Sequence, residues 1–166
     1  QAFKAVREGK LDASLALLST VELGSSDAPI LSYLVACELA MAFGYRGQVD
    51  AAEYWITEAK RRETPESGYV VLSAEMVVRC QGDRLEEFIA WSRDHMEQDP
   101  AREVDAWVME ELSLLTAYAK HRLGAPREAV EACLSSFKVR YPGGIDIHFA
   151  NLPGFEDFAA SFDVEK

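Results

Sequence analysis

The chain lacks any uninterrupted apolar run of about 18 residues, so no segment is expected to insert in or span a membrane. Histidine and cysteine are sparse, with three of each. Cys37, Cys80 and Cys133 lie far apart, with no CxxC pair and no Cys/His cluster, which excludes a disulfide framework and a zinc site. Each sits in an apolar stretch, where a free thiol packs as a small hydrophobe; this suits a reducing, cytoplasmic setting. Positive charge is also short: 17 Lys and Arg face 28 Asp and Glu, leaving a net charge of −11. Such a surface repels nucleic acid and anionic membranes, so neither is expected as a partner. Low-complexity and Pro/Gly-rich stretches are missing, which argues against a disordered linker. The chain opens Gln1-Ala2-Phe3-Lys4 without Met or a signal-peptide layout, as if inside a helix. We therefore expect a fragment of a longer protein, or one trimmed at its start.

The familiar marks of chemistry are missing too. His95, His121 and His148 have no HxH, HxxxH or HExxH spacing, and no GxGxxG, P-loop or GxSxG occurs. Carboxylates abound, as in Glu86-Glu87, Glu110-Glu111 and Glu156-Asp157. Neighbours on a helix point about 100° apart, so these pairs diverge and read as charged faces. Residues 146–151 lack the alternating ligands of a calcium loop. No catalytic residue, metal site or cofactor is expected, and the chain is read as a non-enzyme.

What is present is a repeated turn. Glycine followed by a short step and a small or acidic residue occurs at Gly9, Gly47, Gly82 and Gly124, at intervals of 38, 35 and 42 residues. A period of that size marks a stack of helical hairpins. Apolar residues, 49% of the chain, recur at helical spacing. Helices are expected over residues 10–21, 29–44, 48–62, 67–81, 84–97, 101–123 and 126–140. Val70, Val71, Val77 and Val78 would suit a strand, but the repeat register and Ala74-Glu75-Met76 favour a helix. Lys60-Arg61-Arg62 closes its helix and complements the dipole. After Tyr141-Pro142-Gly143-Gly144, residues 145–149 alternate in a strand-like way, and Phe155, Phe158 and Phe162 suggest a short amphipathic helix.

These hairpins resemble tetratricopeptide repeats. In the best copy, residues 33–66, Leu39, Ala40 and Phe43 match the first-helix positions. Gly47, Ala52 and Ala59 match the turn glycine and the two alanines of the second helix. Pro65 lies one residue beyond the closing proline. The copy at 68–100 keeps Gly82-Asp83 but has Glu75 and Glu87 where small residues are expected. The copy at 110–142 keeps Ala117, Gly124, Ala129 and Tyr141-Pro142, with Lys120 in place of an aromatic. A first half-copy has Ser14 at an alanine position.

The resemblance implies an all-α fold, a right-handed superhelix of antiparallel hairpins over residues 1–142. Residues 143–166 then form a C-terminal cap, because each hairpin leaves an apolar face unfinished. A docking peptide or a swapped arm is the alternative for that segment. The resemblance also implies a concave groove lined by the first helices. Its positions carry over to Met41 and Tyr45, with Leu34 and Cys37, in the best copy. The next copy contributes Tyr69, Met76 and Arg79, with Leu72. The third contributes Tyr118, His121 and Arg122, with Leu114. Tyr and Arg anchor interfaces, and Met adapts to varied partners. The expected function is binding of a peptide or helix of another protein, as an adaptor, chaperone or assembly factor. The alternative is a sensing domain of a larger signalling or transcription-regulator protein. Self-association through an uncapped N-terminal half-repeat is a further expectation.

Overall fold

The structure is a computed structural model that describes residues 10–18, 29–64, 70–98, 106–140 and 148–164. Every regular element among them is helical: α1 (Leu11–Leu18), α2 (Pro29–Tyr45), α3 (Val49–Arg62), α4 (Val70–Arg79), α5 (Leu85–Gln98), α6 (Ala106–Arg122), α7 (Arg127–Arg140) and α8 (Phe155–Phe162). A single 3-10 turn, His148–Asn151, precedes α8. The valine-rich segment is helix α4, as expected, and not a strand. No helix among the described residues is long and apolar enough to cross a membrane. The chain divides into two compact units, Gln1–Val78 and Arg79–Lys166.

In the first unit α2 and α3 fold back on one another through a turn of three residues. Local chemistry dictates that turn. The Gly47 N–H donates to the Gly44 carbonyl at 2.8 Å, and the Gln48 N–H reaches back to Phe43 at 3.0 Å. These two bonds satisfy carbonyls that the end of α2 leaves open, and they require a left-handed residue between them. Gly47 supplies it with φ +69°, a conformation that glycine adopts without a Cβ clash. Gly124 repeats the device at the end of α6: φ is +73°, Gly124 N–H bonds His121 at 3.0 Å and Ala125 N–H bonds Lys120 at 3.0 Å. Gly82, between α4 and α5, is also left-handed. At Gly47 and Gly124 the recurring glycine of the sequence is thus a helix stop; Gly9 lies outside the described residues.

Small residues bring the helices of the first unit together. Ala36, Ala40, Ala52 and Ala59 are wholly buried. A Cβ on Gly44 would meet Val78 Cγ2 at 3.1 Å and Val77 Cγ1 at 3.3 Å, so its bare Cα lets α4 approach α2. Val35 and Leu39 form the core, with Leu15, Phe43 and Trp55 packed against them. Tyr33 crosses from α2 to the first turn of α4, where its hydroxyl accepts the Val71 N–H at 3.0 Å. This buried bond ties α2 to the start of α4. Cys37, one turn along, is buried beside Tyr33, and burial pushes its thiol up to about 12. Lys60 crosses from α3 to Glu75 of α4 at 2.7 Å. Arg61 and Arg62 both pair with Glu58 and hold its carboxyl down to about 2. Each member of the basic run at the end of α3 is therefore paired with a carboxylate within the first unit.

In the second unit α6 and α7 form the matching hairpin, and α5 packs on α6. Phe88, Leu112, Leu115, Val130 and Leu134 fill its core. Thr116 donates to the Leu112 carbonyl at 2.7 Å and lies 3.1 Å from the Ser92 hydroxyl, joining α6 to α5. The strand-like alternation read at residues 145–149 does not give a strand in the described part. Residues 148–151 form one 3-10 turn, which the Leu152 N–H extends to the Phe149 carbonyl at 2.8 Å. A spacing of three places Phe149 and Leu152 on one side of such a turn, and both are buried. Residues 145–147 fall outside the described residues.

Candidate functional site

Helix α6 ends with Tyr118, His121 and Arg122 at spacings of three and four, which puts them on one face. Helix α8 lies against that face. Its own sequence explains why: Phe155, Phe158 and Phe162 also follow a spacing of three and four, with Ala159 between them, and all four are buried. Glu156, Asp157 and Ser161 take the exposed side. Eight residues are too few for a stable helix in water, so α8 owes its order to this docking.

Aromatic contacts provide the apolar grip. The Tyr118 ring stands 5.5 Å from Phe155 and 5.8 Å from Phe158. His121 stands 5.6 Å from Phe158 and 5.3 Å, edge-on, from Phe162. Arg127, at the start of α7, places its guanidinium 4.8 Å over the Phe162 ring. Offset or edge-on pairs of this kind contribute roughly 0.5–1.5 kcal/mol each beyond simple burial.

A polar clamp holds the approach to the helix. The Tyr118 hydroxyl donates to the Pro153 carbonyl at 2.7 Å. Arg122 donates to the same carbonyl and also to the Tyr118 oxygen, at 2.9 Å. Burial raises the Tyr118 phenol above its ordinary range, which keeps the proton that this clamp needs. At the other end of α8, Arg127 donates to the Ser161 carbonyl at 3.4 Å. The polar contacts that reach the α8 segment itself all end on main-chain oxygen. The face thus reads the aromatic stripe by shape and the backbone by hydrogen bonds.

The other expected groove positions fall elsewhere. Met41 and Met76, expected on a groove wall, are core side chains, 3% and 0% exposed. Tyr45, the last residue of α2, is half-buried. Tyr69 lies outside the described residues. Arg79, half-buried at the end of α4, sits 5.0 Å over the Trp91 ring, which also neighbours Phe88 at 5.9 Å and the exposed imidazole of His95 at 4.3 Å. Among the carried-over positions, Tyr118, His121 and Arg122 are brought together, where they contact α8 and the segment before it. Sequence reasoning missed Arg127, because it considered only the first helix of each pair. Its place in the opening turn after Gly124-Ala125-Pro126 puts it beside the end of α6.

Among the described residues no group of three or more His, Cys, Asp or Glu is placed to hold a metal ion. Cys133, half-buried on α7, accepts a hydrogen bond from Lys120 at 3.1 Å. The chemistry displayed at the α6 end is thus aromatic packing and hydrogen bonding to the chain's own α8 segment. Compared with protein-family models, curated proteins and solved structures, the chain matches none.

Proposed function

We propose that this chain is a tetratricopeptide-like protein-interaction module, a right-handed superhelix of hairpins that binds a helix or peptide of another protein and performs no catalysis. The observation that carries the proposal is the face of α6. There Tyr118, His121 and Arg122 hold an amphipathic helix by its aromatic stripe and by a peptide carbonyl. A surface that performs this task on the chain's own segment has the chemistry to perform it on another. The left-handed glycines closing α2 and α6 support the repeat reading, since the same helix stop recurs where the period places it. An adaptor, chaperone or assembly factor is the role such a module fills.

The test is partner capture with the full chain and with Arg79→Glu, Arg122→Glu and Arg93→Glu. Arg122 touches the docked segment and Arg79 lies in the other carried-over position, whereas Arg93 is an exposed residue of α5. Loss of an interface arginine anchor typically costs a few kcal/mol, about tenfold or more in affinity, while a rim or surface change does little. Equal capture by all four proteins, or a bound small molecule with no protein partner, would contradict the proposal.

A further inference from the structure

We infer that Arg79, stacked on Trp91 where α4 meets α5, is a carboxylate-binding site, and that the group it takes is an acidic side chain of the bound peptide. The site rests on the peptide-binding reading above and adds the chemical group that one part of the surface selects.

Arg79 is the last residue of α4, and Trp91 and His95 are one turn apart on α5. The guanidinium stands 5.0 Å over the indole, and the imidazole stands 4.3 Å from the same ring. Wholly buried Phe88, 5.9 Å from the indole, ties the stack to the core. Stacking holds an arginine in place without using its hydrogen bonds, so the planar fork of N–H donors stays open. Among the described residues no carboxylate, carbonyl or hydroxyl of the chain accepts from Arg79, and its one contact of this kind is the ring.

Acid is not in short supply, with 28 Asp and Glu in the chain. The carboxylates that helical spacing offers are taken. Glu75, four residues before Arg79 and well placed to pair with it, bonds Lys60 at 2.7 Å instead. Glu87, near the start of α5, pairs with Arg84 at 3.6 Å. Elsewhere Arg46, Arg61, Arg62 and Arg127 each have a carboxylate partner. Arg93 has none, but it is exposed and water solvates it. Arg79 is half-buried, so its charge is partly desolvated and lacks the counter-charge that normally offsets this. A carboxylate supplies that charge through two parallel N–H···O bonds, which are stronger than bonds between neutral groups. The net charge of −11 opposes a phosphate dianion more than a single carboxylate, which decides between the two anions that fit such a fork.

The experiment uses the full chain, labelled for heteronuclear NMR, and follows the Arg79 Nε–H and the Trp91 indole N–H. The probe is N-acetylglutamate amide, which presents one acidic side chain. N-acetylglutamine amide is its neutral isostere, and inorganic phosphate is the competing anion. Both signals should shift with the acid and saturate at a Kd on the order of millimolar, and the isostere should leave them in place. Arg79→Lys keeps the charge but loses the fork, so it should weaken binding about tenfold. Arg79→Gln should abolish the Trp91 response, and Arg93→Gln should leave it unchanged. Equal shifts with acid and isostere, an Arg79 signal unmoved by the acid, or a full Trp91 response in Arg79→Gln overturns the inference. So does a response to phosphate with none to the acid. The comparison of acid with isostere on the unaltered chain needs no variant. If Arg79 ignores the acid while partner capture still depends on Arg122, the peptide-binding reading stands and this site alone falls. If the acid binds at Arg79 and capture is indifferent to both arginines, the peptide-binding reading falls and the carboxylate site remains.

Discussion

Replacing Gly47 by alanine tests whether the recurring glycine is a conformational requirement. A Cβ at this position meets nothing within 4 Å, so crowding contributes nothing. The backbone is left-handed, with φ +69°. Holding an alanine there costs about 1–2 kcal/mol. Removing a glycine also narrows the unfolded ensemble, which returns about 0.4–1 kcal/mol. The net expectation is a loss of roughly 1 kcal/mol, equivalent to about 2–4 °C in Tm for a chain of this size. Gly47→Asn should lose clearly less, because asparagine visits the left-handed region more readily. Gly44→Ala supplies the opposite case: its penalty comes from the 3.1 Å approach to Val78. Thermal melts followed by far-UV circular dichroism on the three variants give the comparison. If Gly47→Asn is as costly as Gly47→Ala, or if Gly47→Ala stabilises, the left-handed turn is not what the glycine is for.

Other outcomes follow from single contacts. Tyr33→Phe removes the acceptor for the buried Val71 N–H and should cost about 1–3 kcal/mol in urea denaturation, whereas Tyr54→Phe, on an exposed ring, should be neutral. Glu58 is held down to about 2 by its arginine partners, so its contribution is complete above the ordinary carboxylate range and declines as pH falls from about 4.5 toward 2. Glu58→Gln should flatten the stability profile across that window. Alkylation of the native protein, read by mass spectrometry, should modify half-buried Cys133 well before Cys37 and Cys80, which are buried and whose thiols burial raises.

The parts of the structure legible in the sequence are those governed by local rules. Helix stops at Gly47 and Gly124 are legible because a left-handed residue closing a helix is almost always glycine. The helical character of α4 is legible despite Val70, Val71, Val77 and Val78, because β-branched residues lower helix propensity only modestly and Ala74-Glu75-Met76 favour a helix. The turn at residues 148–151 is not, since a few alternating residues are shared by strands and by a 3-10 turn that buries Phe149 and Leu152 together. Groove positions are the hardest. Helical neighbours lie 100° apart, so a small error of register exchanges wall for core, as the burial of Met41 and Met76 shows. The Phe155, Phe158 and Phe162 stripe announces an amphipathic helix. Its pairing with Tyr118 and His121 joins residues far apart in sequence, and no local pattern encodes that.

The central claim is that the end of α6 receives a helix from another protein. A photo-crosslinking amino acid placed at His121, with a second chain labelled at Arg93 as reference, reads that contact directly once a partner has been captured. The account expects crosslinks from position 121 to a helix or peptide of the partner, beside those to residues 155–162 of the same chain. Partner crosslinks from position 93 alone, with position 121 joined only to its own chain at every partner concentration, would contradict it.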